Sequence, residues 1–379
     1  MLNSEVTNLP SAATPIPFFD AMTVNARFDL QAAAERVIRS HWYVLGHEVR
    51  AFEEEFAQFC GALYCVSVAN GTDALELALR GLEIGYGADV ALVSNAGFYG
   101  STAVLQVGAK PNYIDVDPLT QNMDPGHLAK RLEAGGIKAI ILTHLYGRLA
   151  DVEAIEALSR CHGIPLIEDC AQAHGAARGG RRAGSFAQLG CFSFYPTKNL
   201  GALGDGGALT TSDVNLANRL RQLRQYGWSQ KYHIAIDGGR NSRLDELQAA
   251  ILRVKLPHLT SMNAQRRETA RRYTAAFTDL PVICPEPTGD DYVAHLYVLQ
   301  MANRDAFREA MRHQEIATDV HYPLPDHCQP TLKSRLQPTT DLKTSELLAT
   351  QVVSLPCYPG MTDRQITRVI AAVKTFFSP

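Results

Sequence analysis

The sequence predicts an α/β fold: a mostly parallel seven-stranded sheet sandwiched by helices, followed by a smaller C-terminal α+β region. Two observations carry this. From Cys65 onward, short apolar runs alternate with stretches whose apolar residues recur at helical spacing, the pattern of a sheet covered on both faces. After about residue 250 this alternation stops, and one long helical stretch replaces it.

The seven candidate strands are CVSV (65–68), VALV (90–93), NYIDV (112–116), KAIILTHL (138–145), PLIED (165–169), GCFSFY (190–195) and GGALTT (206–211). Thr72 to Ile84, Pro125 to Ala134 and Val152 to His162 carry apolar residues at helical spacing. Leu244 to Phe277 reads as a long helix interrupted at Pro257, where the ring has no N–H to donate. Beyond it CPEPTGDD is loop-like, HLYVLQM is strand-like and Arg304 to Gln314 is helical. The opening MLNSEVTNLPSAATP has turn and disorder chemistry and is expected to be a flexible segment, residues 1–15. In such an open sheet, ligands belong at the carboxyl ends of the strands.

Length and composition narrow the function classes. The 379 residues suffice for two domains, 46% are hydrophobic, and 36 basic against 39 acidic residues leave a net charge of −3. No broad basic field marks a duplex-binding surface, so a nucleic-acid partner is not expected. The eight cysteines form no CxxC pair, and Cys60, Cys65, Cys161, Cys170 and Cys191 lie in or beside apolar runs, which reads as buried free thiols rather than a metal site. No signal peptide and no apolar run of roughly 18 residues is present, so a cytoplasmic protein without a membrane span is expected.

The chemistry is concentrated in a few motifs. In CFSFYPTKNLGALGDGG (191–207), Lys198 sits between Ser193 and a glycine-rich turn, a placement from which it forms a Schiff base with an aldehyde cofactor. Most lysines are merely solvated charges. The preference changes with IEDCAQAHGA (167–176), where a strand-like run ends at Asp169. Pyridoxal phosphate requires both a lysine for its aldehyde carbon and a carboxylate that keeps its ring nitrogen protonated. In ANGTDALELAL (69–79), Gly71 permits a tight turn and Thr72 with Asp73 opens a helix whose first N–H groups suit a phosphate, although the same residues also serve ordinary capping. Ser193 has a hydroxyl for the same phosphate, and Phe98 is a candidate to stack on the cofactor ring.

With these elements in chain order, the sequence resembles the nucleotide-sugar aminotransferases, the DegT/DnrJ/StrS group of aspartate aminotransferase-like enzymes. The resemblance also rests on WYVLGHEVRAFEEEFAQFCG, VGAKPNYIDVDP, HLYGRLADV, GRNSRLDELQAAIL, HYPLPDHCQP and VVSLPCYPGMTDRQI. It implies pyridoxal 5'-phosphate-dependent fold type I, with a large domain over 16–250 and a smaller one over 251–379. By the same resemblance Lys198 is the Schiff-base lysine, Asp169 the partner of the pyridine nitrogen, and Gln172 the contact to the phenolic oxygen. Gly71, Thr72 and Ser193 form the phosphate cradle and Phe98 is the stacking aromatic. Asn241 matches an asparagine that reaches the phosphate of a neighbouring subunit, which implies a homodimer with shared active sites.

The implied reaction moves an amino group from an amino acid, usually glutamate, to a nucleotide-linked keto sugar. GRNSRLDELQAA after WSQKYHIAI resembles the branch that aminates C3 of dTDP-linked 3-keto-6-deoxyhexoses, with Tyr195, Lys231, His321 and Tyr322 on the substrate side. Lys231, Arg240 and Arg243 are positioned in sequence to meet a diphosphate or to form interface ion pairs. Amination at C4 of a 4-keto-6-deoxyhexose and a non-catalytic regulatory homologue are the alternatives. Two residues depart from the family pattern: Cys170 stands where alanine is usual, and Arg148, where glutamine is common, is expected to add charge near the site or its rim.

Overall fold

The computed structural model describes residues 14–330, 338 and 341–378. The expected flexible segment at residues 1–15 thus lies almost wholly outside the described residues. The seven expected strands form one sheet: β1 (Tyr64–Val68), β2 (Asp89–Val93), β3 (Lys110–Ile114), β4 (Ile137–Thr143), β5 (Leu166–Asp169), β6 (Leu189–Ser193) and β7 (Gly207–Thr211). Their spatial order is β1-β7-β6-β5-β4-β2-β3. β2 to β6 pair in parallel, whereas β7 runs antiparallel to both β6 and β1. Because β1 is thereby parallel to β6, its carboxyl end lies on the same edge as those of β4, β5 and β6.

The period-2 alternation of strand side chains divides the core into two layers. Val93, Ile140, Leu142 and Phe192 pack on one face with Phe52, Phe56 and Leu252. Val90, Leu92, Ile141 and Leu209 pack on the other with Leu75, Leu79 and Leu220. Burial on both faces explains why the strands read as continuous apolar runs. The helices start where capping chemistry allows: Asp124 and Asp151 accept from His127 N–H and Ala154 N–H to open Pro125–Glu133 and Val152–His162.

A third apolar cluster unites helices Leu259–Phe277 and Asp363–Phe377 with a two-stranded ladder, β8 (Tyr297–Gln300) antiparallel to β9 (Val352–Leu355). The interruption at Pro257 is a 3-10 turn, Leu256–His258, between helices Glu246–Lys255 and Leu259–Phe277. Residue 250 falls inside the first of these helices. Ile16 is buried in this third cluster and bridges Ile316. Among the cysteines read as buried, Cys161 is exposed, because the last turn of its helix presents it to solvent; Cys60, Cys65, Cys170 and Cys191 are buried. No helix of the described residues is long and apolar enough to cross a membrane.

Candidate active site

The carboxyl ends of β4, β5 and β6 and the start of helix Gly71–Gly81 surround a cavity of about 630 Å³, closed from the other side by residues of the C-terminal layer. Asn70 caps the helix by accepting from Asp73 N–H at 2.8 Å. The N–H groups of the first turn have no acceptor within the helix and point out of its start. This helix begins in contact with β6: a Cβ on Gly71 would sit 2.6 Å from Ser193 Cβ, and one on Gly207 would sit 2.3 Å from the Asn70 carbonyl oxygen. Glycine at 71 therefore keeps backbone N–H groups and the Ser193 hydroxyl close around one small space. The neighbouring turn is tied down by Ser242, which donates to Asp73 at 2.6 Å and accepts from Ala69 N–H at 3.0 Å.

Lys198 projects into the cavity from the loop that joins β6 to β7. Its N–H bonds the Tyr195 carbonyl at 2.9 Å, and the turn closes at Gly201, where a Cβ would approach the Pro196 carbonyl oxygen to 2.4 Å. The buried Lys255 donates to the Gly201 carbonyl at 2.7 Å and so braces the same turn. Although the Lys198 tip faces the cavity, protein surrounds it, and burial pushes its amine down to about 8, with the Asp169 carboxylate opposing that fall. Asp169 is itself raised by burial, offset in part by the Ala171 N–H, Lys198, His144 and the Thr143 hydroxyl at 3.3 Å.

The remaining wall is organised by hydrogen bonds. Gln172 is held at both ends of its amide, accepting from Tyr146 N–H at 2.6 Å and donating to the Tyr322 hydroxyl at 3.0 Å. Tyr146 in turn donates its hydroxyl to the His321 carbonyl. The His321 ring pairs with the Ser354 hydroxyl at 2.9 Å. Asp326, buried on the same segment, accepts from Phe98 N–H at 3.0 Å and from the Ser101 hydroxyl at 2.6 Å. Burial pushes the Asp326 carboxyl up to about 7. The buried group His144, Glu168 and Cys170 is a structural network: the Glu168 oxygens accept from the N–H groups of Gly184, Phe186 and Ala187, and bond the His144 ring at 3.0 Å.

Of the residues singled out from the sequence, Gly71, Thr72, Asp169, Gln172, Ser193, Tyr195, Lys198, His321 and Tyr322 all line this cavity. Phe98 does not. It adopts left-handed backbone (φ 70°), fixed by Asp326, and packs against the second core layer, while Tyr99 lines the cavity. Asn241 and Lys231 are exposed and lie outside the cavity of their own chain. Arg240 is paired with Asp73 and Glu76. Arg148 is also away from the rim: it is buried behind the cavity, donating to the Thr288 hydroxyl at 3.1 Å and the Glu286 carbonyl at 2.5 Å over the ring of Tyr292. Thr143, Arg266 and His295 are wall residues that no local motif announces. They reach the cavity from a strand end, a helix interior and a loop.

Three chemical demands meet here: an anion at the helix start, an aldehyde at a lysine with a depressed pKa, and a protonated ring nitrogen opposite a buried carboxylate. Pyridoxal phosphate carries all three groups, and the cavity wall formed by Gly71, Thr72 and Ser193 offers backbone N–H groups and a hydroxyl that suit its phosphate.

Comparison with known proteins points the same way. Residues 25–374 match the DegT/DnrJ/EryC1/StrS aminotransferase family. The chain is 43% identical to the dTDP-3-amino-3,6-dideoxy-alpha-D-galactopyranose transaminase of Aneurinibacillus thermoaerophilus, over 95% of this chain and 99% of that one. It is 42% identical to the dTDP-3-amino-3,4,6-trideoxy-alpha-D-glucose transaminase of Streptomyces venezuelae, over 96% and 97%. The crystal structure of S. venezuelae DesV in complex with a ketimine intermediate superposes with a TM-score of 0.93 at 40% identity, covering 97% of this chain and all of that one. The sequence match, the fold and the lysine–carboxylate cavity agree: the chain belongs to the DegT/DnrJ/EryC1/StrS family of pyridoxal phosphate-dependent aminotransferases.

Proposed function

We propose that this enzyme transfers an amino group from L-glutamate to C3 of a dTDP-linked 3-keto-6-deoxyhexose, working as a homodimer with shared active sites. The observation that carries the reading is the joint placement of Lys198, Asp169 and the Gly71–Ser193 space in one cavity. The bound cofactor supplies the electron sink for the carbanion formed at the donor's α carbon. Lys198 would hold the aldehyde carbon, and its amine, when free, would carry the proton from the donor's α carbon. Its depressed pKa suits that work, since a substantial fraction is unprotonated near neutral pH. Asp169, whose pKa burial raises, would accept from the ring N–H, and the positive charge of that ring would favour the ionised carboxylate. The backbone N–H groups at Gly71 and Thr72 and the Ser193 hydroxyl hold the phosphate, Gln172 meets the phenolic oxygen, and Tyr195, His321 and Tyr322 face the sugar. The dTDP sugar and the C3 position are supported by the two named relatives.

Support for the dimer comes from exposed large apolar side chains, among them Trp42, Tyr43, Leu203, Tyr232 and Ile234, whose burial against a second subunit would be favourable. A second subunit covering them brings Asn241 and Lys231 to a neighbouring cavity. Purified protein loaded with pyridoxal phosphate is expected to change its visible absorbance on adding glutamate and to regain it with the keto sugar, giving a C3 amine by NMR. A spectrum indifferent to glutamate refutes the reading, and a C4 amine refutes its regiochemistry. Mixing inactive Lys198→Ala and Asn241→Ala proteins should restore activity, because hybrid dimers then contain one intact site.

A further inference from the structure

A permanent cation stands in this cavity without a counter-charge. Arg266, on helix Leu259–Phe277, is only 2% exposed and contributes to the same wall as Lys198. Its Nη1 donates to the carbonyl oxygens of His295 at 3.2 Å and Cys357 at 2.5 Å. Nε is buried without an acceptor, and no hydrogen bond from Nη2 exists among the described residues. Among the described residues no carboxylate pairs with it either. Two further buried arginines have their partners: Arg224 has Glu53 Oε1 2.5 Å from its Nη1, and Arg148 is held on both Nη atoms by neutral oxygens. A guanidinium taken out of water without a charged partner is costly to keep, and with Nη1 engaged and Nε closed off by protein, Nη2 is the donor left for a carboxylate.

We infer that Arg266 is the receptor for a carboxylate of the amino-acid donor, and of the keto acid it becomes. Burial pulls the guanidinium down to about 10, so it remains charged at neutral pH. Burial, and to a smaller extent the charges of Lys198 and Arg266, depress His174 and His295, which leaves those rings neutral and places the two cations within electrostatic reach of them. An anion entering here meets one strong positive centre beside the reactive amine, between the apolar side chains of Leu296 and Leu355. Such surroundings strengthen a charge-assisted pair by excluding water. The cofactor's phosphate is accounted for at the start of helix Gly71–Gly81. A sugar-linked diphosphate carries two charges and a bulky nucleoside, which one enclosed guanidinium matches poorly.

The inference rests on the aminotransferase reading, and its test separates the two. The holoenzyme and its Arg266→Met variant are compared for the absorbance change driven by glutamate and by 2-aminobutane, an amine without a carboxylate. The ratio of the two rates is expected to fall about tenfold or more in the variant, the worth of a charge-assisted hydrogen bond from Nη2. Succinate titrated calorimetrically into the holoenzyme is expected to bind the wild type and to lose at least about tenfold in affinity in Arg266→Met. Alanine and 4-aminobutyrate tell which carboxylate is held: a selective loss on alanine assigns the α-carboxylate, one on 4-aminobutyrate the distal one. Equal losses on glutamate and 2-aminobutane, or undiminished succinate binding, overturn the inference and assign Arg266 to bracing the His295 and Cys357 carbonyls. Should Arg266→Met fail to fold, Arg266→Lys, which keeps the charge but not the fork, is read by the same ratio and the same titration. A wild type unresponsive to every donor refutes the proposed function instead.

Discussion

The depressed pKa of Lys198 has a direct kinetic consequence in the cofactor-free enzyme. Only the neutral amine attacks an aldehyde, so capture of pyridoxal phosphate should rise with pH to a midpoint near 8. With the ordinary lysine value of 10.5, about one amine in a thousand is neutral at pH 7.5; with a value of about 8, about one in four is. Burial thus raises the reactive population about 200-fold at that pH. Asp169 acts in the opposite direction, since its negative charge favours the protonated amine. Replacing it with asparagine removes that charge at nearly constant shape, so the Asp169→Asn midpoint should move below that of the wild type, even though the bound cofactor loses the partner of its ring nitrogen. Stopped-flow absorbance of cofactor capture between about pH 6 and 10 measures both midpoints. A wild-type midpoint above about 9.5, or an upward move in Asp169→Asn, would show that desolvation does not govern this lysine.

Two further outcomes follow from contacts at the edge of the site and beneath it. In Gly71→Ala the new methyl meets Ser193 Cβ at 2.6 Å, so the helix start and β6 must separate; cofactor affinity, titrated by absorbance, should drop about 10-fold or more with the circular dichroism unchanged, and unaltered affinity would count against the phosphate cradle. Glu53 accepts from Arg224 at 2.5 Å and from both the N–H and hydroxyl of Ser67, so Glu53→Ala strands a buried guanidinium and should lower stability in urea by about 3–5 kcal/mol; a change under about 1 kcal/mol would mean that the Ser67 carbonyl alone satisfies Arg224.

Legibility in the sequence tracked how local each physical cause is. All seven strands were readable because most of their residues are buried in one of the two core layers and leave short, mainly apolar runs. Lys198, Asp169, Ser193 and Gly71 were readable because strand ends and glycine turns leave marks within a few residues. Phe98 lies outside the cavity wall, and the backbone turn that carries it is tied through its N–H to Asp326, which lies far away in the chain. Arg148 was misjudged for a similar reason: its neighbours in sequence approach the cavity, but its guanidinium is claimed by the Glu286 carbonyl and the Thr288 hydroxyl. Cys161 read as buried because it adjoins an apolar run, yet helical periodicity turns it outward at the end of its helix.

The sequence by itself determined the sheet, the order of its strands along the chain and the lysine–carboxylate pair, since these depend on periodicity, turn chemistry and residue type. Only the tertiary structure decided that β7 runs antiparallel, so that β1 and β6 present their carboxyl ends on one edge and the helix at Gly71 meets Ser193. Only it placed Arg266 in the wall beside Lys198 with no carboxylate to neutralise it. A residue's type and local spacing record what it can do; which charges lack a partner depends on every element packed around them.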